Sequence, residues 1–341
     1  MTRRAEKFPA VKVSVAMCTF NGGAYVGEQL ESIAAQTRPP DELVVCDDRS
    51  EDGTREALEA FAARAPFDVR LHFNEERLGS TKNFEKAIGL CRGSVIAMSD
   101  QDDVWLPEKL ERQAAALDSA PGAGMVFSDA EVVDERLRPL GYTVWGHVKF
   151  GPEDQRAVRA GGAFDLLLAR NVVAGATMAF RSRFKDLLLP IPEEYSLKRE
   201  GRLLLHDGWI ALLISAVAGV TVTDGPLMKY RQHAAQQVGS KEKSGGAASV
   251  RAAVSRPNVF AVEIGQLTAA RDRLSAKDPA VSARAVSELD SKIAHLRARA
   301  EMPGRGGARR LPRVLREVLT LRYHRYSNGV RSAAKDLLMK R

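Results

Sequence analysis

The first 130 residues alternate short, nearly continuous apolar runs with segments in which apolar residues recur at helical spacing. The apolar runs predict strands at residues 11–20, 41–48, 68–75 and 94–100. The segments between and after them predict helices at residues 24–36, 54–65, 80–91 and 107–117. Continuous apolar strands separated by helices are typical of a parallel sheet that is covered on both faces. The pattern therefore predicts an α/β fold with a mainly parallel sheet.

The chain changes character beyond residue 240. The segment "SKEKSGGAAS" is typical of a loop, and residues 260–302 predict one or two amphipathic helices broken near "AKDPA". We expect a first domain at residues 1–240, with parts at about 11–130 and 131–240, then a helical extension at 241–302 and a tail at 303–341. Residues 193–203, "EEYSLKREGRL", predict a further loop within the first domain.

The net charge of +8 is concentrated in the tail. Residues 303–341 contain eleven Lys and Arg against Glu317 and Asp336, whereas residues 1–302 are close to neutral. In the tail, Leu311, Val314, Leu315 and Val318 recur at helical spacing among arginines. This pattern is typical of a helix that lies on an anionic membrane surface. A basic helix packed on its own domain is the alternative, and no motif supports binding to nucleic acid.

The cysteines and the apolar runs indicate a cellular compartment. Cys18, Cys46 and Cys91 are odd in number and lack metal-ligand spacing, so the sequence predicts neither a disulfide framework nor a zinc site. No apolar segment resembles a signal peptide, and the longest nearly apolar run, residues 209–222, is too short to span a bilayer. We expect a cytoplasmic protein, peripheral at the inner face of the cell membrane.

Polar and acidic segments follow the predicted strands: "CTFNGG", "CDDRSEDGT", "NEERLGS" and "SDQDD". Ligands of parallel sheets bind beyond the carboxyl ends of the strands. The last segment, residues 99–103, is called the acidic loop, and its three carboxylates repel one another unless a cation or hydrogen-bond donors offset their charge. The glycine patterns of dinucleotide and phosphate loops are absent. Carboxylate-rich strand ends favour a hard divalent cation, Mg²⁺ or Mn²⁺, that holds a diphosphate.

Three segments, in this order and spacing, resemble the nucleotide-sugar-binding domain of glycosyltransferase family 2, which has the GT-A fold. They are "VSVAMCTFNGGAYVGEQLESIAAQT", "DELVVCDDRSEDGT" and "IAMSDQDDVWLPEKL". The form Asp-Gln-Asp-Asp-x-Trp is similar to bacterial rhamnosyltransferase-like members. The resemblance covers residues 11–235 and continues in "NVVAGATMAFRSR" and "HDGWIALLISAVAG". The segment "RYSNGVRSAAKDLL" resembles the C-terminal ends of such proteins. It implies a GT-A, Rossmann-like α/β domain with a helical C-terminal extension.

The resemblance assigns the nucleotide to residues after the first three strands. It implies that Asp48 accepts a hydrogen bond from a pyrimidine base and that the backbone around Thr19 and Phe20 lines the same pocket. Asp47 either shares this role or caps the following turn. Lys82 or Asn83 would reach the nucleotide, with a solvated helix start as the alternative for either residue.

The resemblance assigns the donor diphosphate to the acidic loop. Asp100 and Asp102 match the ends of its Asp-x-Asp element, and a divalent cation would bridge Asp102 to the diphosphate. Asp103 would contact the donor sugar or cap the next helix. Trp105 is more consistent with packing than with stacking on a ligand.

The resemblance places the catalytic base at Asp207, at the start of an apolar helix, where a helix cap is the alternative role. Such a base removes a proton from the acceptor hydroxyl as it attacks the anomeric carbon. His206 would be a loop residue. His233 resembles a histidine that assists metal or diphosphate binding, although a lone histidine is often structural.

These roles imply an inverting, metal-dependent glycosyltransferase. We expect a nucleoside diphosphate sugar as donor, with dTDP-rhamnose ahead of a UDP-hexose, and a hydroxyl of a cell-surface glycan or lipid-linked saccharide as acceptor. A catalytically silent nucleotide- or glycan-binding relative is the alternative from a different class.

Overall fold

The computed structural model describes residues 11–192, 205–234, 259–277, 279–302 and 307–338. Its first half contains the predicted alternation of strands and helices. The strands are β1 (Val13–Thr19), β2 (Glu42–Asp47), β3 (Asp68–Phe73) and β4 (Val95–Ser99). The helices between them are α1 (Val26–Ala34), α2 (Thr54–Ala62) and α3 (Ser80–Leu90). The four strands are parallel in the order β3-β2-β1-β4, which confirms the predicted α/β fold.

The second half adds antiparallel strands that make the sheet mixed. After β5 (Val104–Trp105) and α4 (Lys109–Ser119) come β6 (Ala123–Val133), β7 (Pro139–Thr143), α5 (Val144–Val148), α6 (Pro152–Ala157), α7 (Ala163–Ala169), β8 (Met178–Arg181), α8 (Lys185–Leu188), α9 (His206–Val217) and β9 (Gly219–Arg231). The strand order in the described residues is β3-β2-β1-β4-β8-β6-β9-β5, with β7 on β6. β8 is antiparallel to both β4 and β6, whereas β6 and β9 are parallel.

Both faces of the sheet are covered, which explains the continuous apolar character of its central strands. Along β1, Val15 and Met17 face a core with α1, α2 and α4, while Ala16 between them faces a core with α3 and α9. Side chains of a strand alternate between the two faces, so a strand covered on both sides must be apolar at every position. The outermost strand of the parallel half, β3, is only partly buried.

The C-terminal extension is helical, as predicted. It contains α10 (Val259–Lys277), α11 (Pro279–Ala300), α12 (Gly307–Leu319), α13 (Arg322–Tyr326) and α14 (Val330–Leu338). The break between α10 and α11 falls before Pro279, in the predicted "AKDPA" segment. α10 and α11 contact α9, which is apolar nearly all round and is therefore buried between them and the sheet.

The tail packs on the extension through one of its faces. Val314, Tyr323 and Ala333 form a small core with Met302. Buried polar pairs join the same elements, with His295 Nδ1 2.7 Å from Glu317 Oε2 and Arg299 Nε 2.7 Å from Asp336 Oδ2. This face of the tail therefore packs on the chain's own domain, which was the alternative to a helix that lies on a membrane.

The predicted loops at residues 193–203 and 240–249 lie outside the described residues, as do residues 303–306 before α12. Within the part of the chain that the structure describes, no helix is both long enough and apolar enough to cross a membrane.

Candidate functional site

The carboxyl ends of β1, β2 and β4 open into a cavity of about 940 Å³. Its other walls come from the segment Asn171–Gly175, the start of α9 and the end of β9. All predicted site residues except Lys82 and Asp103 line it: Thr19, Phe20, Asp48, Asn83, Asp100, Asp102, Asp207 and His233. Residues from distant parts of the sequence are thus brought to one cavity.

Asp48 orders the loop between β3 and α3. Its Oδ1 accepts hydrogen bonds from the Leu78 amide at 2.7 Å and from Asn74 Nδ2 at 3.0 Å. Its Oδ2 accepts one from the Gly79 amide at 2.9 Å. Gly79 has a φ of 79°, a left-handed conformation that favours glycine. Asp48 therefore fixes this loop at the edge of the cavity that it lines.

The ring of Phe20 is stacked against an arginine, a contact that the sequence alone did not indicate. The guanidinium carbon of Arg77 lies 3.6 Å from the centre of the Phe20 ring, a cation–π distance. Gln101 of the acidic loop binds the Phe20 backbone at both ends, accepting from its amide at 2.8 Å and donating to its carbonyl at 3.1 Å. A Cβ at Gly22 would come within 2.3 Å of Gln101 Oε1, so a larger residue there would displace the Gln101 side chain from Phe20.

Asp47 caps the turn that follows β2, which was the alternative to a role in nucleotide binding. Its Oδ1 accepts from the Ser50 amide at 2.8 Å, and its Oδ2 accepts from the hydroxyls of Ser50 and Thr19, each at 2.6 Å. Asp47 is buried and does not line the cavity. It supports Thr19, which does.

The two residues of α3 assigned to the nucleotide have other partners. Lys82 Nζ donates to the Ile191 carbonyl at 2.6 Å and lies 2.9 Å from Glu85 Oε2, outside the cavity lining. The ammonium of Lys82 therefore joins α3 to the segment after α8. This position differs from the expected contact with the nucleotide. Asn83 lines the cavity, yet its amide donates to the Cys46 carbonyl at 2.7 Å and accepts from Asn74 at 2.9 Å.

Asp102 and His233 meet across the cavity wall. His233 Nε2 lies 2.8 Å from Asp102 Oδ2, although the two residues are 131 positions apart. The Tyr25 ring packs on the imidazole at 4.6 Å between ring centres. Burial, with repulsion from Asp102 and Asp207, raises the pKa of neighbouring Asp100 to about 7. The geometry therefore concentrates carboxylates where a cation would relieve their repulsion.

Arg231 fixes the acidic loop to β9, and the sequence did not single it out. The guanidinium is buried, donates to the Asp102 carbonyl at 2.7 Å and to the Glu135 carbonyl at 2.6 Å, and pairs with Glu28. Because His233 follows Arg231 by two residues, this contact sets the positions of Asp102 and His233 together. A long-range contact of this kind has no local sequence signal.

Asp103 has neither of the roles expected for it, which were contact with the donor sugar and capping of the next helix. It is fully buried, its Oδ1 accepts from the Arg231 amide at 3.1 Å, and it does not line the cavity. Burial and nearby Asp102 raise the pKa of Asp103 well above its usual range. α4 begins only at Lys109, so Asp103 does not cap it. Trp105 is a packing residue, as expected, with the buried Lys109 ammonium 3.6 Å from its ring.

Asp207 begins α9 and lines the cavity. Burial raises the pKa of Asp207 to about 6, while hydrogen bonds from the Gly208 and Gly175 amides oppose the rise. His206 is buried and stacked on Phe84 at 4.2 Å, so the expectation of a loop residue was wrong. A Cβ at Gly175 would lie 3.1 Å from His206 Nε2, which explains how this backbone comes so close to α9.

The side chains of the cavity include few possible ligands for a cation. Within the described residues, no group of three or more His, Cys, Asp or Glu side chains is arranged to hold a metal ion. Asp102 and His233 are a pair, and Mg²⁺ commonly uses one or two protein ligands and takes the rest from phosphates and water. The residues therefore fit a cation shared with a bound diphosphate.

Part of the chain is similar to known glycosyltransferases. Residues 14–164 match the family model for glycosyl transferase family 2. An uncharacterized protein of Mycobacterium tuberculosis is 28% identical over 177 residues, which are 50% of this chain and 46% of that protein. TuaG of Bacillus subtilis, provisionally named as a teichuronic acid biosynthesis glycosyltransferase, is 34% identical over 103 residues, 30% of this chain and 40% of TuaG. The chain thus spans about half the length of the curated relatives it matches.

Solved structures support the fold. TarS residues 1–349 from S. aureus, in complex with UDP, align with a TM-score of 0.54 and 18% identity over 84% of this chain and 71% of that one. The complex with UDP-GlcNAc aligns with a TM-score of 0.53 and 16% identity over 96% of this chain and 81% of that one. At such identities the likeness concerns the fold alone. Residues 14–164 therefore belong to glycosyl transferase family 2, within a chain that has a GT-A-like fold and a helical C-terminal region.

Proposed function

We propose that the chain is an inverting glycosyltransferase that moves a sugar from a nucleoside diphosphate to an acceptor hydroxyl. The observation that carries this proposal is the convergence of Asp48, Asp102, Asp207 and His233 on one cavity. The match of residues 14–164 to the family supports the reaction type. The complexes of TarS with UDP and UDP-GlcNAc, on a similar fold, support a nucleotide-sugar donor.

The nucleotide binds at the β1 and β2 end of the cavity in this proposal. Phe20 lines this end of the cavity, and its ring, which has the Arg77 guanidinium against it, can contact a base. Among the described residues, Asp48 Oδ2 accepts one hydrogen bond, from the Gly79 amide, and a carboxylate oxygen has room for a second from a pyrimidine N–H. Thr19 and the Phe20 backbone complete this end of the cavity.

The diphosphate lies against Asp102 and His233, which would hold Mg²⁺ or Mn²⁺ together with it. A bound divalent cation offsets the negative charge of the carboxylates and the diphosphate and stabilises the leaving group. The raised pKa of Asp100, caused by burial and by Asp102 and Asp207 and only partly offset by Lys109, is consistent with a site in which negative charge predominates. Arg231 holds Asp102 in register with His233.

Asp207 is the general base of the proposed reaction. Its carboxylate accepts the proton of the acceptor hydroxyl as the hydroxyl oxygen bonds to the anomeric carbon and the nucleoside diphosphate departs. The raised pKa of about 6, caused by burial, makes this carboxylate a better proton acceptor than an exposed aspartate. The segment Asn171–Gly175 faces Asp207 and forms a wall for the acceptor.

The proposal extends to the donor and the acceptor. dTDP-rhamnose is our leading choice from the Asp-Gln-Asp-Asp-x-Trp form, with a UDP-hexose second. The likeness to TuaG supports an acceptor in a cell-wall or cell-surface glycan, which includes lipid-linked saccharides. A catalytically silent nucleotide-binding relative is the competing function, and the presence of Asp207 in the cavity argues against it.

A thermal-shift panel of nucleotide sugars, with and without Mn²⁺, tests the proposal. A ligand that binds only the native state at ~100 times its Kd stabilises the fold by about 2.7 kcal/mol, which raises Tm by a few degrees. We expect such a shift for at least one dTDP- or UDP-sugar, and only with the cation present. ADP-ribose serves as the non-cognate control. Absence of any shift across the panel contradicts a nucleotide-sugar site, and a shift that does not require the cation contradicts the proposed role of the metal.

A further inference from the structure

α12 presents its most apolar side to solvent. Leu311, Leu315 and Leu319 are 47%, 49% and 81% exposed. Residues four apart lie on the same side of a helix, so these three form a continuous strip that we call the leucine edge. The buried side of α12 contains Arg310 and Glu317, each only 3% exposed. The apolar side of a helix usually packs inward, whereas in α12 Val314 is buried and the three leucines are left exposed.

α14 repeats the arrangement. Val330 and Leu338 are 68% and 79% exposed, whereas Ala333 and the charged Asp336 are buried. α12 and α14 pack against each other, so two adjacent helices both leave large apolar side chains in contact with water. The apolar exposure is therefore a shared property of the tail rather than one misplaced residue.

The exposed charge of this region is positive. Glu317 and Asp336, the acids of residues 307–338, are buried and paired with His295 and Arg299. Arg316, Arg331 and Lys335 are exposed, and none of them has an ion-pair partner among the described residues. On α12, Arg316 directly follows Leu315. Arg316 is three residues from Leu319, and Lys335 is three residues from Leu338, so exposed leucines lie beside cations that no carboxylate of the described residues neutralises.

We propose that the leucine edge and these cations form a docking surface for an anionic phospholipid membrane. Lipid satisfies both features at once, because acyl chains accept the leucines and headgroup phosphates accept the cations. An identical positive surface on a second copy would repel it across a two-fold interface. Nucleic acid would use the cations but leave the leucines exposed. The proposal concerns a surface separate from the cavity and does not depend on the proposed reaction.

Vesicle sedimentation of the full chain tests this proposal. The vesicles contain phosphatidylglycerol and phosphatidylcholine in equal parts, with pure phosphatidylcholine for comparison. Arg316→Gln/Lys335→Gln is expected to lower the partition coefficient roughly 30-fold, the equivalent of about 1 kcal/mol per cation. Leu315→Gln/Leu319→Gln is expected to lower it at least about tenfold, because two apolar insertions are lost. Leu140→Gln, at a leucine of β7 that is 45% exposed, is the matched control and keeps wild-type binding.

Point substitutions are used because Val314 and Tyr323 are buried in the tail's core, which removal of the whole tail would destroy. An unchanged Tm shows that the variants remain folded. Equal binding to both vesicle types, or wild-type sedimentation of the leucine variant, overturns the proposal. So does a dimer that the leucine substitutions dissociate, or tighter binding to RNA than to the anionic vesicles.

Discussion

Replacing Asp207 with Asn is expected to lower sugar transfer by about two to four orders of magnitude, the usual contribution of a positioned general base. The amide has nearly the same shape as the carboxylate but cannot accept the proton. Asp207 lines the cavity at the start of α9, so the substitution leaves the donor contacts around Asp48 and Phe20 unchanged. Initial rates and donor Kd, measured on the same preparation, separate the two effects.

The pH dependence gives this prediction a second readout. Burial raises the pKa of Asp207 to about 6, and Asp207 acts only when it is deprotonated. The value of kcat/KM in the wild type should therefore fall as pH decreases below about 6, by about tenfold per pH unit. Asp118→Asn, at an exposed carboxylate of α4, is the matched control and should keep both the rate and the profile. Loss of folding or of donor binding in Asp207→Asn would instead give Asp207 a structural role.

Asp102→Asn is expected to abolish the effect of the divalent cation on donor binding. The substitution removes one negative charge beside His233, whose Nε2 is 2.8 Å from Asp102 Oδ2, and leaves the backbone contact with Arg231 intact. Donor affinity in the presence of Mn²⁺ should drop by at least about tenfold. Calorimetric titration of UDP and dTDP, with and without Mn²⁺, measures this drop. Near wild-type transfer by Asp102→Asn would exclude the cation site.

The alternation of strands and helices was predictable because each element has a local signal. β1 and β2 are apolar at nearly every position, since both of their faces are covered. The break before Pro279 was equally local. By contrast, the antiparallel β8 lies between β4 and β6 through contacts that join distant parts of the chain, and no local pattern encodes that order.

The site was predictable in its residue types and less so in its contacts. Acidic strand ends indicated the cavity, and Asp102 and His233 do meet there. Arg231 and Gln101 were missed because their partners are far away in sequence and their own neighbours are unremarkable. Asp103 was misplaced because adjacent residues of a loop point in different directions, and sequence does not reveal which of them faces the ligand.

The tail shows the same limit. Apolar spacing predicted its helices, yet the spacing groups Val314 with Leu311 and Leu315 although only Val314 is buried. The pairs of His295 with Glu317 and Arg299 with Asp336 turn the polar side of the tail inward. Such pairs depend on charges from another helix, so they are visible only in the folded chain.

The most direct test of the central claim is release of nucleoside diphosphate from a donor sugar that raises the Tm of the wild type. The wild type is expected to release it only with Mg²⁺ or Mn²⁺, and Asp102→Asn and Asp207→Asn are expected to lose the release for different reasons, the first in donor binding and the second in turnover. Asp118→Asn should release it at the wild-type rate. Tight, cation-dependent donor binding by the wild type with no release, with or without added glycan or lipid-linked acceptors, would contradict the account and identify a silent binding protein.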